Sequence, residues 1–298
     1  MFKKHQEIED GQFLSAAASE ARAGDLKMTQ LAYAAAAEHF GRAAELVPAG
    51  SELVKAGYLH QQGSALSLAG KYAEAEAPLK GALDIIEQRM GPDHPDTAAA
   101  LHNLAGLYHA QGKHDQAESL FQRSLKIREL ALGPDHPDTA TTLNNLALLC
   151  RAQGKYDQAE ALHQRSLQIY EQVLGPDHPH TATTLNNLAG LYQDQGKYDQ
   201  AEALHRRALQ IMEQALGPDH SSLATTLNNL AGLYYAQGKY DQAVPLLQRA
   251  LQIMEQALGP DHPKVAIVRG NLAGLQALQT KAPTGKQRGK RPKKAKKR

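Results

Sequence analysis

The sequence predicts an all-α solenoid of antiparallel helix pairs, and three observations carry that prediction. The first is an internal period of 42 residues: a Gly-Pro-Asp-His string opens at Gly91, Gly133, Gly175, Gly217 and Gly259, and a Gly-Lys pair recurs at Gly70, Gly112, Gly154, Gly196 and Gly238. A fixed period of this length marks a repeat architecture in which each unit is one supersecondary element. The second is helical spacing inside the unit. Leu143, Leu146, Ala147 and Cys150 fall at i, i+3, i+4 and i+7 on one face of a first helix, and Ala159, Leu162, Ser166, Ile169 and Val173 advance by threes and fours along a second. The third is punctuation: Gly133 sits where a left-handed C-terminal cap is wanted, Asp135 is placed as an N-cap, and Pro137 fixes φ at the next helix start.

Taken in order, residues 8–22 and 29–47 read as a helical pair in which Ala36, Phe40 and Ala43 keep second-helix spacing. Gly24-Asp25 does not fall where a regular turn should, so residues 1–50 are expected to be a degenerate N-terminal pair or cap. The pair over 52–90 keeps GKYAEAEAPLKGAL but carries LHQQG at 59–63 where later units have LNNLA; it should stack on its neighbour. Four units follow, from Gly91, Gly133, Gly175 and Gly217, and the stretch KVAIVRGNLAGLQAL, residues 264–278, predicts a lone last helix covering the final apolar face. The array thus spans 51–278. Residues 279–298 contain Pro and Gly, no acidic residue and no apolar period, so a basic disordered tail is expected there.

Composition fits this plan. The chain of 298 residues has no Trp, 5% aromatics and one cysteine, Cys150, so no intramolecular disulfide can form, and its place on the apolar face predicts a buried structural thiol. The net charge of +2 hides an asymmetry: ten of the 33 Lys and Arg follow residue 280, leaving 23 basic against 31 acidic side chains before it, a net charge of −8. The charged N-terminal stretch lacks the apolar core of a signal peptide, and nowhere do about 18 apolar residues run together. A soluble, cytoplasmic protein is expected.

Several residue sets invite a chemical reading. His94, His136, His178, His220 and His262 recur one full repeat apart, whereas a zinc ion needs ligands about 2 Å from one centre, so loop capping is the expected role. The stretch Gly106 to Lys113 has five residues between its glycines, His114 after the lysine and a helix in front, unlike a phosphate loop. Asp157 and Glu160, beside Lys155 at a helix start, are expected to complement the helix dipole rather than act as acid and base. No Ser, His and Asp set is suggested. No catalytic residue, metal site or cofactor is expected.

The LNNLA, QGKYDQAE and GPDHP strings, with Leu143, Leu146, Ala147, Ala159 and Leu167 at the signature small and Leu positions, resemble the tetratricopeptide repeats, in the long form found in kinesin light chains and related bacterial proteins. The resemblance covers about residues 52–278. It implies a right-handed superhelical solenoid whose first helices line a concave groove for extended peptides or partner helices. Carried over by position, the groove residues are Asn144, Asn186 and Asn228, then Asn103, Asn145, Asn187, Asn229 and Asn271, with His109, Arg151, Gln193 and Tyr235 further along. Gly106, Gly190, Gly232 and Gly274 would leave room for a ligand backbone, and Leu148 narrows that place in one unit. With only Arg151 and Arg269 as cations, this groove is mostly neutral, which suits sequence-tolerant bonding of a peptide backbone by Asn.

The sequence therefore points to a non-catalytic protein- or peptide-binding scaffold. One alternative is a nucleic-acid-associated recruitment protein holding nucleic acid or another acidic surface through residues 281–298. Another is a regulatory subunit for an enzyme on a separate chain.

Overall fold

The computed structural model describes residues 2–260 and 262–281, and among them lie thirteen α-helices and no strand. The chain divides into two compact units at Gly175. The first contains α1 (Phe2–Thr29), α2 (Tyr33–Leu46), α3 (Glu52–Leu68), α4 (Tyr72–Met90), α5 (Pro95–Ala110), α6 (His114–Ala131), α7 (Pro137–Ala152) and α8 (Tyr156–Val173). The second contains α9 (Pro179–Asp194), α10 (Tyr198–Leu216), α11 (Ser221–Ala236), α12 (Tyr240–Leu258) and α13 (Pro263–Lys281). In each unit odd-numbered first helices pack against even-numbered second helices, and each pair stacks on the next.

The turns follow from backbone chemistry. At the turn inside a pair, Gly154 has φ +74° and the Lys155 N–H reaches back to the Cys150 carbonyl at 2.9 Å, closing the helix in a way that favours glycine. Between pairs Gly133, with φ +105°, takes the same role. The next helix is capped by His136 rather than by Asp135: its Nδ1 accepts the Asp138 N–H at 3.1 Å. His94, His178, His220 and His262 cap their helices identically, so one neutral ring nitrogen performs the task usually given to a Ser or Asp oxygen.

Inside the pairs the small residues are fully buried: Ala140, Ala147 and Cys150 from α7 and Ala159 from α8 have no exposed surface. Ser124 and Ser166 donate to the Ala98 and Ala140 carbonyls of their own pair at 2.7 and 2.8 Å. The second-helix stripe differs from the expected one. Val173 is half exposed, while His163, Ser166 and Tyr170 are buried beside Ala159 and Ile169, because the helix turns a slightly different face inward.

Between pairs, polar clasps recur. Glu76 meets Lys113 at 2.9 Å and Glu118 meets Lys155 at 2.9 Å, and in the second unit Glu202 lies 3.7 Å from Lys239. A second row joins Arg123 to Glu87 and Arg165 to Glu129 at 2.6 and 2.8 Å, and Arg249 to Glu213. The carboxylates at this position therefore tie one repeat to the next, which dipole complementarity did not anticipate. Lys80 and Lys113 hold the Glu76 carboxyl at about 2.

The two ends depart from the repeat. α1 runs unbroken through Gly24-Asp25, and α2 starts only at Tyr33, later than the sequence predicts. Gly24 is a packing glycine: a Cβ there would lie 2.7 Å from the Phe40 ring. At the other end α13 buries Val265, Val268, Leu272 and Leu275. On the side where a second helix would pack, Arg269 stands in place of Leu143, Leu185 and Leu227, and pairs with Glu255 at 2.7 Å. That exchange makes the face compatible with water. The expected tail begins within α13, and from residue 282 it lies outside the described residues.

Candidate binding face of the first helices

Second helices cover one side of each first helix and neighbouring first helices cover another, which leaves one stripe open. In α7 it is Thr141, Asn145, Leu148 and Ala152, spaced i, i+4, i+7 and i+11, none of them buried, whereas Leu143, Leu146, Ala147, Leu149 and Cys150 between them are. The same positions of α11, Thr225, Asn229, Gly232 and Ala236, are likewise open.

Clefts open along this stripe within each unit. One of about 440 Å³ lies between α3 and α5, with Tyr72, Asn103 and Gly106 on its walls. Another of about 430 Å³ lies between α11 and α13, walled by Asn228, Gly232, Asn271 and Gly274. A Cβ placed at Gly106, Gly232 or Gly274 would meet nothing within 4 Å. Packing does not require these glycines, and each costs a helix about 1 kcal/mol relative to alanine. Their effect is room above the helix.

The asparagines divide into three groups. Asn144 and Asn186 are buried, and their Oδ1 atoms accept from His163 Nδ1, at 3.0 Å, and His205 Nδ1 of the paired second helices; the Asn186 amide also donates to Thr226 Oγ1 at 2.8 Å. These bonds tie each first helix to its own second helix, Asn186 also reaches the next repeat through Thr226, and both asparagines present little surface to a ligand. Asn103 and Asn145 are half-buried and donate to His60 Nε2 and His102 Nε2 of the preceding repeat, the latter at 2.9 Å. Asn187 and Asn228 are half-buried, Asn229 is half-buried and Asn271 exposed. Arg151 and Gln193 are half-buried, and Tyr235 is 51% exposed. Arg269, bound to Glu255, is not a cation of this face.

Burial governs the titrating groups here. It pulls the His163 imidazolium down to about 4, with repulsion from Arg151 adding less, and it lowers His102 to about 4, with Arg128 adding repulsion. Burial also raises the Cys150 thiol, keeping it protonated. Among the described residues no group of three or more His, Cys, Asp or Glu could hold a metal ion, and no helix is long and apolar enough to cross a membrane.

A tetratricopeptide repeat family model matches residues 55–129, 101–172, 138–214, 181–256 and 222–283. The chain belongs to the tetratricopeptide repeat family. Solved structures agree on the fold of this tetratricopeptide protein. The crystal structure of BtubC (BKLC) from P. vanneervenii has a TM-score of 0.57 at 23% identity, over 86% of this chain and 93% of that one. Two crystal structures of a putative kinesin light chain from Podosopora anserina with nearly identical TPR-like repeats give TM-scores of 0.56 and 0.53 at 24% and 26% identity. They cover 69% and 66% of this chain and 97% and 94% of theirs. No curated protein matches the chain.

An aromatic row beside the open stripe escaped sequence reasoning. Tyr72, Tyr156 and Tyr198, the first residues of second helices, remain 39, 36 and 37% exposed, and Tyr72 walls the α3–α5 cleft. Tyr240, at the same position, lies with its ring 5.9 Å from that of Tyr235, and His114 lies 5.8 Å from His109. The signal was in the sequence, as the residue following each Gly-Lys, but its neighbourhood to the asparagine stripe is a property of the folded turn.

Proposed function

We propose that the chain is a non-catalytic scaffold that binds a protein segment along the open face of its tetratricopeptide first helices, in the cytoplasm. The supporting observation is the uncovered stripe itself: it carries amides, glycines whose cost folding does not recover, and an aromatic border, whereas the outer second-helix surface spends its charged side chains on clasps between repeats. Such a stripe offers hydrogen bonds to a backbone and apolar area to side chains. The fold is shared with structures named as kinesin light chains, and it serves many functions, so the partner must be identified directly.

The test is co-purification of the tagged chain with mass spectrometry, repeated with Gly106→Arg and Gly232→Arg on the open face and with Gln168→Arg and Gln252→Arg on exposed second-helix surface. Loss of the same partner in the first two variants and retention in the last two supports the reading; the reverse pattern sinks it. An enzyme recovered as that partner would make the chain a regulatory subunit.

A second reading rests on the ten cations of residues 281–298, which suit nucleic acid or another acidic surface. Under it, retention on nucleic acid would disappear on truncation after Lys281 and fall steeply with salt.

A further inference from the structure

The α11–α13 cleft differs from the α3–α5 cleft in its amides, its walls and its rim. Asn103 of the α3–α5 cleft is engaged by His60, whereas among the described residues neither Asn228 nor Asn271 has a side-chain hydrogen-bond partner. Asn228 lacks one because α12 supplies Leu247 where α8 and α10 supply His163 and His205. The walls are bare: Gly270 stands at the position of Asn186 and Asn228, and a Cβ added at Gly232, Gly270 or Gly274 would meet nothing within 4 Å. At the rim Tyr235, 51% exposed and 5.9 Å from the Tyr240 ring, takes the place of Ser67 in the α3–α5 cleft.

These features select a ligand that is flat, apolar on its faces and polar at its edge. Glycine walls carry no side chain, so a planar group can lie against the helix backbone, and the Tyr235 ring offers it a stacking face. Leu247 and Leu275 make the deep side apolar, and no charged side chain lines the cleft, so a charge placed there would lose water and gain no partner. An asparagine amide holds a donor and an acceptor side by side, which match the paired donor and acceptor on the edge of an unpaired nucleobase. The base of a nucleotide fits such a slot, while its phosphate needs cations outside it. Those cations lie close in sequence: Leu278 lines the cleft, and the ten Lys and Arg of residues 281–298 follow it directly. The volume of about 430 Å³ lies at the lower end of small-ligand sites, room for one base with its sugar.

We propose that the α11–α13 cleft receives one unpaired nucleobase, stacked on Tyr235 against the glycine walls, with Asn228 and Asn271 bonding its donor and acceptor edge. The base comes from a free nucleoside or from a single strand whose phosphates meet the cations of residues 281–298. The strand as source rests on the nucleic-acid reading of those cations; the pocket itself stands without it. A leucine at position 274 would stand where Leu148 stands in α7 and fill the slot.

The test uses the full chain with ¹⁵N-labelled asparagine and four probes: adenosine, N6,N6-dimethyladenosine, a short single-stranded oligoadenylate and N-acetyl-leucine methylamide. Adenosine should shift the side-chain amide resonances of Asn228 and Asn271 saturably, and the dimethylated form, its edge donors removed, should bind roughly tenfold more weakly or worse. Gly274→Leu and, separately, Gly232→Leu should abolish the adenosine shifts, while Gly106→Leu leaves them unchanged; melting curves report whether each variant is folded. Oligoadenylate binding that is tighter than adenosine binding, and that loses this advantage in salt or on truncation after Lys281, assigns the base to a strand. Equal affinity of the two assigns it to the free nucleoside and removes the strand as source. No shift of Asn228 and Asn271 with adenosine, equal binding of the dimethylated form, or a response to the leucine probe alone would overturn the pocket. Oligoadenylate retention that depends on residues 282–298 but is accompanied by no shift at Asn228 and Asn271 would leave the reading of the basic segment standing and sink this one.

Discussion

His163 is enclosed completely, its Nδ1 spent on Asn144 and its Nε2 without a partner among the described residues. Its folded pKa of about 4 lies below the ordinary histidine value of 6.5, so the unfolded chain binds more protons between those values. Stability is full above pH 6.5 and falls as pH drops toward 4, by about 3 kcal/mol for this residue. His163→Leu, which recreates the Asn228 and Leu247 pairing found in the last full repeat, should flatten that part of a melting-temperature profile against pH; an unchanged slope would show that other groups dominate it. The second asparagine of each LNNLA string gives a sharper contrast. Asn145 donates to His102, so Asn145→Ala should cost about 1 kcal/mol, whereas Asn229, with no such bond among the described residues, should tolerate alanine or gain roughly 0.5 kcal/mol from helix propensity. Thermal unfolding of the two single variants decides whether the amide row is uniform, and equal losses would mean that it is.

At the scale of elements, the repeats are joined by clasps between exposed Lys or Arg side chains and partly buried carboxylates, and with one partner in water their worth is small. Glu118, gripping Lys155 and Gln153, should on change to Gln cost about 0.5–1 kcal/mol at low salt, and the difference should shrink at about 1 M salt; a salt-independent loss would point to packing instead. The last helix makes a different kind of statement. Arg269 interrupts a column otherwise made of Leu143, Leu185 and Leu227, and Gln276 follows Cys150, Tyr192 and Tyr234. Restoring leucine at both positions rebuilds an apolar stripe with no second helix to cover it. Light scattering of Arg269→Leu/Gln276→Leu should show association that rises with concentration, while the parent chain under the same conditions shows less; equal behaviour would remove the capping role from these two side chains.

For the molecule as a whole, stability in a repeat array is close to a sum over units and the interfaces between neighbours. Removing residues 217–258 in frame takes out one complete period and should leave a shorter folded chain. Removing only α12 leaves the α11 stripe of Leu227, Ala231 and Tyr234 uncovered and should cause aggregation. Circular dichroism and size-exclusion chromatography separate these outcomes, and a folded half-unit deletion beside an unfolded whole-unit deletion would place the repeat boundary elsewhere. Both deletions lie within the second compact unit, so each outcome concerns that unit's own register.

The period, the two helices per unit and the family were determined by sequence alone, because each depends on relations within about 42 residues: apolar spacing of three and four, glycine where φ must be positive, proline at a helix start. The family-based list of groove residues also came from sequence, and it placed both asparagines of each LNNLA string on the groove. Tertiary structure separated them, since Asn144 points to a histidine 19 positions away in its own pair and Asn145 to a histidine 43 positions back in the preceding one. It likewise gave the N-cap to His136 instead of Asp135, put Gly24 against Phe40 instead of in a turn, and turned Glu118 toward Lys155 of the next repeat. In each case the sequence carries the hydrogen-bonding capacity of a side chain, while its partner is set by which helix faces come together in three dimensions. The pairing of free amides with apolar walls between α11 and α13 has the same origin: it requires Leu247 to approach Asn228 from another helix, a coincidence no local pattern encodes.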